Sequence, residues 1–230
     1  MKKGGLAIIL SAALVGVIAI VGVRATFGEA PAEQAKSGDS PTEQTASMWD
    51  LDIRTLVEES KAEIDRIQKN KVVVINGEEV DVTTKEMEKW MLRSYMDAKM
   101  VGAEEVSDEA LVENALVAKN QRENLLEYAS QEFGVEVQPE DVRAFIDSQV
   151  EQIEKGEQEL KFFKELSSSL GITLNEFYYE WEYDNFAMIY VSGEVFPILQ
   201  ERYGREEQED GQEYQASLRE IFIKGLDEFR

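Results

Sequence analysis

The side chains that most often do chemistry are missing from this sequence. It has no histidine and no cysteine. That removes the usual general base, the Ser-His-Asp triad, thiolate nucleophiles, disulfides and most transition-metal sites. What remains in quantity is carboxylate, 47 acidic against 24 basic side chains in 230 residues, for a formal charge of −23. A pair of carboxylates can serve as acid and base only in a specific cleft, and no motif here marks one. No catalytic residue, metal site or cofactor is therefore expected. The acidity also argues against nucleic acid as a partner, because that recognition relies on a positive field facing phosphates.

The chemistry left is recognition by apolar and aromatic surface, and two groups of residues are spaced for it. Met87, Trp90 and Met91 sit at helical intervals in an otherwise charged segment. Between Thr173 and Tyr203 an aromatic-rich stretch carries two stripes. At ~100° per residue, Phe177, Trp181, Met188 and Val195 share one face, and Tyr179, Tyr183, Phe186 and Tyr190 lie roughly 200° away. An ordinary surface helix needs one apolar stripe. Two stripes mean either a central helix packed on both sides or a helix with one face on an open cleft. Methionine and aromatic side chains adapt to varied sequences, so Met87, Trp90, Met91, Tyr179, Tyr183, Phe186 and Tyr190 are the candidate peptide-binding residues.

The elements that would position them follow from periodicity and capping. Met1-Lys2-Lys3 precedes the uncharged apolar run Leu6–Val23, so residues 1–25 read as a signal anchor or a cleaved signal peptide. The length of the run favours an uncleaved anchor, and the lysines favour a cytoplasmic N-terminus with the body outside. Residues 26–47, with Pro31 and Pro41, read as a flexible tether. An amphipathic helix is predicted over Met48–Asn70, and a hairpin over Lys71–Val82 turning at Asn76-Gly77. Thr83 is expected to cap the next helix with Glu86, and Gly102 to end it. Ser107 or Asp108 should open a helix running to Phe133, stopped by Gly134. Pro139 starts another, Gly156 interrupts it, and Gly171 stops a helix containing Phe163 and Leu166. Thr173 and Glu176 form a capping box for the aromatic helix. Residues 205–212 read as an acidic linker. Residues 213–230 read as a last amphipathic helix docking on the 48–204 body and covering part of the tyrosine face.

The order of these elements resembles a known family. The strand Val73-Val74-Ile75-Asn76-Gly77-Glu78 is followed by a capped helix. A later helix ends Leu125-Leu126-Glu127-Tyr128-Ala129-Ser130-Gln131-Glu132-Phe133-Gly134-Val135-Glu136-Val137, directly before Pro139-Glu140-Asp141-Val142. This series resembles the N-terminal chaperone domain of SurA/PrsA-type extracytoplasmic peptidyl-prolyl isomerases, over about residues 71–203. The resemblance implies a mainly α, multi-helical cradle with a small β-hairpin that holds unfolded or exported polypeptides. In that family a parvulin isomerase domain follows the last chaperone helix; here only Gly204–Gln212 stands in its place, and the histidines that its site needs are absent. The lipoprotein cysteine usual in PrsA-type proteins is absent too. The expectation is a membrane-tethered, extracytoplasmic chaperone-like module without isomerase activity. The alternative is a structural or regulatory envelope protein that holds one fixed partner with the same fold.

Overall fold

The computed structural model describes residues 51–100, 103, 105–204 and 211–229, the side chains of 211–213 aside. The apolar run Leu6–Val23, the tether at 26–47, Met48, Trp49, Gly102 and residues 205–210 lie outside the described residues. Within them, no helix is long and apolar enough to cross a membrane.

The chain is mainly helical with one small antiparallel sheet. Helix α1, Ile53–Gln68, starts at Asp52, whose carboxylate accepts from the Thr55 N–H at 3.0 Å. Strands β1, Val72–Ile75, and β2, Glu78–Asp81, pair in the register Val72↔Asp81 to Ile75↔Glu78. The turn between them uses Asn76 at φ 53° and Gly77 at φ 89°, the two left-handed residues of a type I′ turn. Helix α2, Lys85–Met100, is capped one residue later than expected. Thr84 Oγ1 accepts from the Met87 N–H, while Thr83 is held through its N–H and hydroxyl by the Asp81 carboxylate.

Helix α3, Asp108–Phe133, is capped by Ser107 and stopped by left-handed Gly134, after which the Val135 N–H donates back to the Ala129 carbonyl. Helix α4, Pro139–Ile153, has proline in its first turn, and α5, Glu157–Leu170, starts from Gly156. A second left-handed glycine, Gly171, ends α5. The carbonyls of Ser169 and Leu170 there receive Lys61 Nζ at 2.9 and 3.2 Å, a cation from α1 placed at the negative end of a helix.

The aromatic stretch departs from a single helix. The Thr173–Glu176 capping box forms, with both reciprocal bonds in place, and starts the short α6, Leu174–Glu176. A π turn, Phe177–Trp181, then intervenes before α7, Tyr183–Tyr203. The extra residue offsets everything downstream by about 100°, so neither stripe runs straight through. Helix α7, downstream of the turn, itself buries residues from both stripes, Phe186 as well as Met188 and Val195. Phe177, Met188 and Val195 of the first stripe and Phe186 of the second are buried, while Tyr179, Tyr183 and Tyr190 stay half-buried, so the second face is only partly covered.

The last helix, α8, Gly211–Glu228, buries Tyr214, Leu218, Phe222 and Leu226 in the main core. Its place differs from the expectation. Phe222 packs on Tyr128, Phe133 and Phe196, at ring-centroid distances of 5.6, 6.3 and 6.1 Å, so α8 covers the end of α3 and the far part of α7. The tyrosine face is flanked by α4 instead, with Phe145 at 5.5 Å from Tyr190 and 6.4 Å from Phe186. Gly225 makes the α8 seat possible, since a Cβ there would overlap the Tyr128 hydroxyl.

Two apolar clusters result. The larger joins α3 from Leu125 onward with α4, α5, α7 and α8 and is rich in phenylalanine. The smaller joins the hairpin to Ile64 and Ile67 of α1, Met87, Trp90, Met91 and Leu92 of α2, and Leu111, Val112 and Ala115 of α3. Helices α1, α2 and α3 run through both, α2 reaching the larger through Met96.

Candidate functional site

The seven recognition residues divide by burial. Met87, Trp90 and Met91 are 4, 5 and 0 % exposed and fill the smaller core, and Phe186 is 0 % exposed in the larger one. They were spaced like cleft residues because core and cleft demand the same helical period. Tyr179, Tyr183 and Tyr190 are half-buried and packed against the larger core.

These three tyrosines follow α4. The Tyr179 hydroxyl donates to the Asp147 carboxylate, which pushes its own titration up to about 12, with burial adding to the effect. Burial also raises Tyr183, against the opposing influence of Arg143, and raises Tyr190, where the Glu194 and Asp141 charges act in the same direction. Phe145 and Ile189, both half-buried, add apolar surface beside them. The strip thus combines aromatic surface packed on the core with a rim containing Glu140, Asp141, Asp147 and Glu194 and one cation, Arg143.

A second constellation went unread in the sequence. The π turn delivers Glu182, 0 % exposed, into the seam between the two clusters. Its Oε1 accepts from Arg93 Nη2 at 3.2 Å and its Oε2 from Asn185 Nδ2 at 2.6 Å. Arg93, itself buried, is sandwiched between Trp90 and Trp181 at 5.1 and 5.3 Å from the ring centroids. Asn185 Oδ1 accepts in turn from Arg122 Nη2 at 3.2 Å, and burial lowers that guanidinium to about 10. At the margin Lys89 Nζ pairs with Asp184 at 2.6 Å; burial still lowers the lysine, outweighing its carboxylate partner. Nε and Nη1 of Arg93, Nε of Arg122 and Nε1 of Trp181 are sealed from solvent with no partner among the described residues. The cue in the sequence was Trp90-x-x-Arg93, which puts a cation on the apolar face of α2 and requires a buried acid elsewhere.

At the seam Arg93 is paired with Glu182 and Lys89 with Asp184, while Arg122 meets the neutral amide of Asn185. Among the described residues no group of three or more acidic side chains is placed to hold a metal ion. Comparison with protein families, curated proteins and solved structures found no match.

Proposed function

We propose that this chain is a membrane-tethered, extracytoplasmic chaperone-like module that binds unfolded or exported polypeptide segments and has no isomerase activity. The observation that carries this reading is the strip Tyr179, Tyr183 and Tyr190 with Phe145: half-exposed rings with polar edges on a heavily acidic body. Tyrosine offers large, stiff contact area at low entropic cost and tolerates both apolar and polar neighbours. An acidic rim favours cationic clients and keeps the empty surface soluble. The helix–hairpin–helix order that resembles the SurA/PrsA chaperone domain supports the same reading, as does the apolar N-terminal run for the tether.

The full-length chain in uncharged nanodiscs should slow aggregation of several unrelated, chemically denatured proteins, cationic ones most. A Tyr183→Ser/Tyr190→Ser variant should lose most of that effect while melting cooperatively. No prolyl-peptide turnover above background is expected, and such turnover would revive an isomerase.

One observation favours a second reading. Met87, Trp90, Met91 and Phe186 are core side chains, so the adaptable methionine surface suited to many clients is closed. A stiff tyrosine strip suits a single structural or regulatory partner equally well. Retention of one native envelope protein, with no protection of unrelated denatured ones, would select that reading.

A further inference from the structure

The hairpin has one face and one edge that the rest of the fold does not use. Val73, Ile75 and Val82 are buried against the helices. On the opposite face Val72 and Val74 are 39 and 57 % exposed, and their cross-strand partners are Asp81 and Glu79. The ladder pattern tells where the main chain points. The Val82 N–H donates to the Lys71 carbonyl, so alternation makes Val73↔Val80 and Ile75↔Glu78 the hydrogen-bonded pairs. Val72↔Asp81 and Val74↔Glu79 are then the non-bonded ones. The N–H and C=O groups of Glu79 and Asp81 therefore point away from β1. Among the described residues no third strand pairs with the sheet, so both strands are edges; β1 lies against α3, and β2 is the edge lined by acids.

An open edge is a template for another strand. Its chemistry restricts which strand. Glu78, Glu79 and Asp81 are all exposed, and the Asp81 carboxylate is fixed in place by Thr83 at 2.7 and 2.8 Å. A second copy of this chain would set those acids against their equivalents, and like charges across strands are destabilising. A cationic strand meets the opposite situation. Added to β2, it would place alternate side chains beside Glu79 and Asp81 on the outer face. The intervening ones would lie beside Val80 and Val82 on the inner face.

We propose that the outer edge of β2 is a docking site for a cationic, extended polypeptide segment in which basic residues alternate with apolar ones. The inference does not rest on the tyrosine strip, which belongs to the other cluster, and it holds equally for an unfolded client and for a fixed partner.

The test uses the full-length chain in nonionic micelles and a short alternating lysine–valine peptide as probe. Binding should protect the Glu79 and Asp81 amides from hydrogen exchange. It should weaken steeply with salt, because screening shortens to about 3 Å at 1 M. A block peptide of the same composition should bind about tenfold more weakly, and an alternating glutamate–valine peptide not measurably. Glu79→Pro removes an outward N–H and no internal ladder bond, so it should cost about tenfold in affinity with the hairpin intact. Should that variant lose the hairpin, Glu79→Lys decides, by weakening the lysine peptide and strengthening the glutamate one. Equal binding of the block peptide, indifference to both substitutions, or absent protection at Glu79 and Asp81 would each overturn the proposal. Tyr183→Ser/Tyr190→Ser should leave the protection of the Glu79 and Asp81 amides unchanged, whatever it does to binding at the tyrosine strip; loss of that protection would assign the peptide to the strip and overturn the edge site.

Discussion

The two halves of this molecule solve the same packing problem with different materials. The larger cluster is built from rings: Tyr128, Phe133, Phe196, Phe222 and Phe229 at one end, and Phe162, Phe163, Phe177 and Tyr178 at the other. The smaller cluster is built from methionine, branched aliphatics and a single tryptophan around a two-stranded hairpin. Rings pack in few orientations and punish loss, whereas methionine refills irregular space. The polar seam holds these unlike halves in one arrangement, since a buried ion pair tolerates few alternatives to its own geometry. The half with a rigid core carries the tyrosine strip, and the adaptable half carries the open strand edge.

The seam gives the sharpest way to break this picture. Glu182→Leu should cost about 3–5 kcal/mol, because it leaves Arg93 buried and unpaired. The double replacement Arg93→Met/Glu182→Leu should recover most of it, as apolar pairs often substitute for buried ion pairs. Urea unfolding followed by far-UV circular dichroism measures both. A small loss in the single variant would mean the halves are held by apolar contact alone.

Next come the cores themselves. Phe222→Ala should cost about 3–5 kcal/mol, while Met91→Leu, which conserves volume, should cost less than about 1.5 kcal/mol. Equal tolerance of the two would remove the contrast between rigid and adaptable halves.

The seat of α8 sharpens the comparison further. Gly225→Ala gains helix propensity but drives a methyl group into Tyr128, for a net loss of about 1–3 kcal/mol. Limited proteolysis should then release the C-terminal helix first. Adding Tyr128→Phe should recover part of the loss, since the hydroxyl makes the worst overlap and the ring carbon behind it lies at 2.9 Å.

Smaller effects test local electrostatics. Lys61→Met should cost about 0.3–1 kcal/mol by uncapping the α5 carbonyls. Tyr179 should titrate near 12 by ultraviolet absorbance, against an ordinary tyrosine near 10. Its folded-state value is raised, so its contribution is complete below the ordinary value and lost as pH climbs through the folded one. Asp147→Asn should bring that titration down.

Much of the fold was legible because local rules and tertiary packing agree. The Asn76-Gly77 turn, the glycine stops at 134 and 171, Pro139 and the Thr173–Glu176 box each act over a few residues and appear in the structure. The π turn was not legible. No single residue demands it, and it lies directly before the buried Glu182 that pairs with Arg93. That turn offsets Phe177, Tyr179 and Trp181 from the residues of α7, so neither stripe continues across it. The candidate site was half legible for the same reason. Periodicity picked out all seven residues alike; it could not separate the half-buried Tyr179, Tyr183 and Tyr190 from the buried Met87, Trp90, Met91 and Phe186, because core and surface faces share one period.

The central claim, binding of exposed polypeptide by the tyrosine strip, is tested most directly by aggregation of unrelated denatured proteins. The assay compares the full-length chain in nanodiscs with its Tyr183→Ser/Tyr190→Ser variant. The account predicts that the parent delays light scattering of every client, the cationic ones longest, and that the variant does so weakly although equally well folded. Identical curves with and without the parent, or with parent and variant, would contradict it.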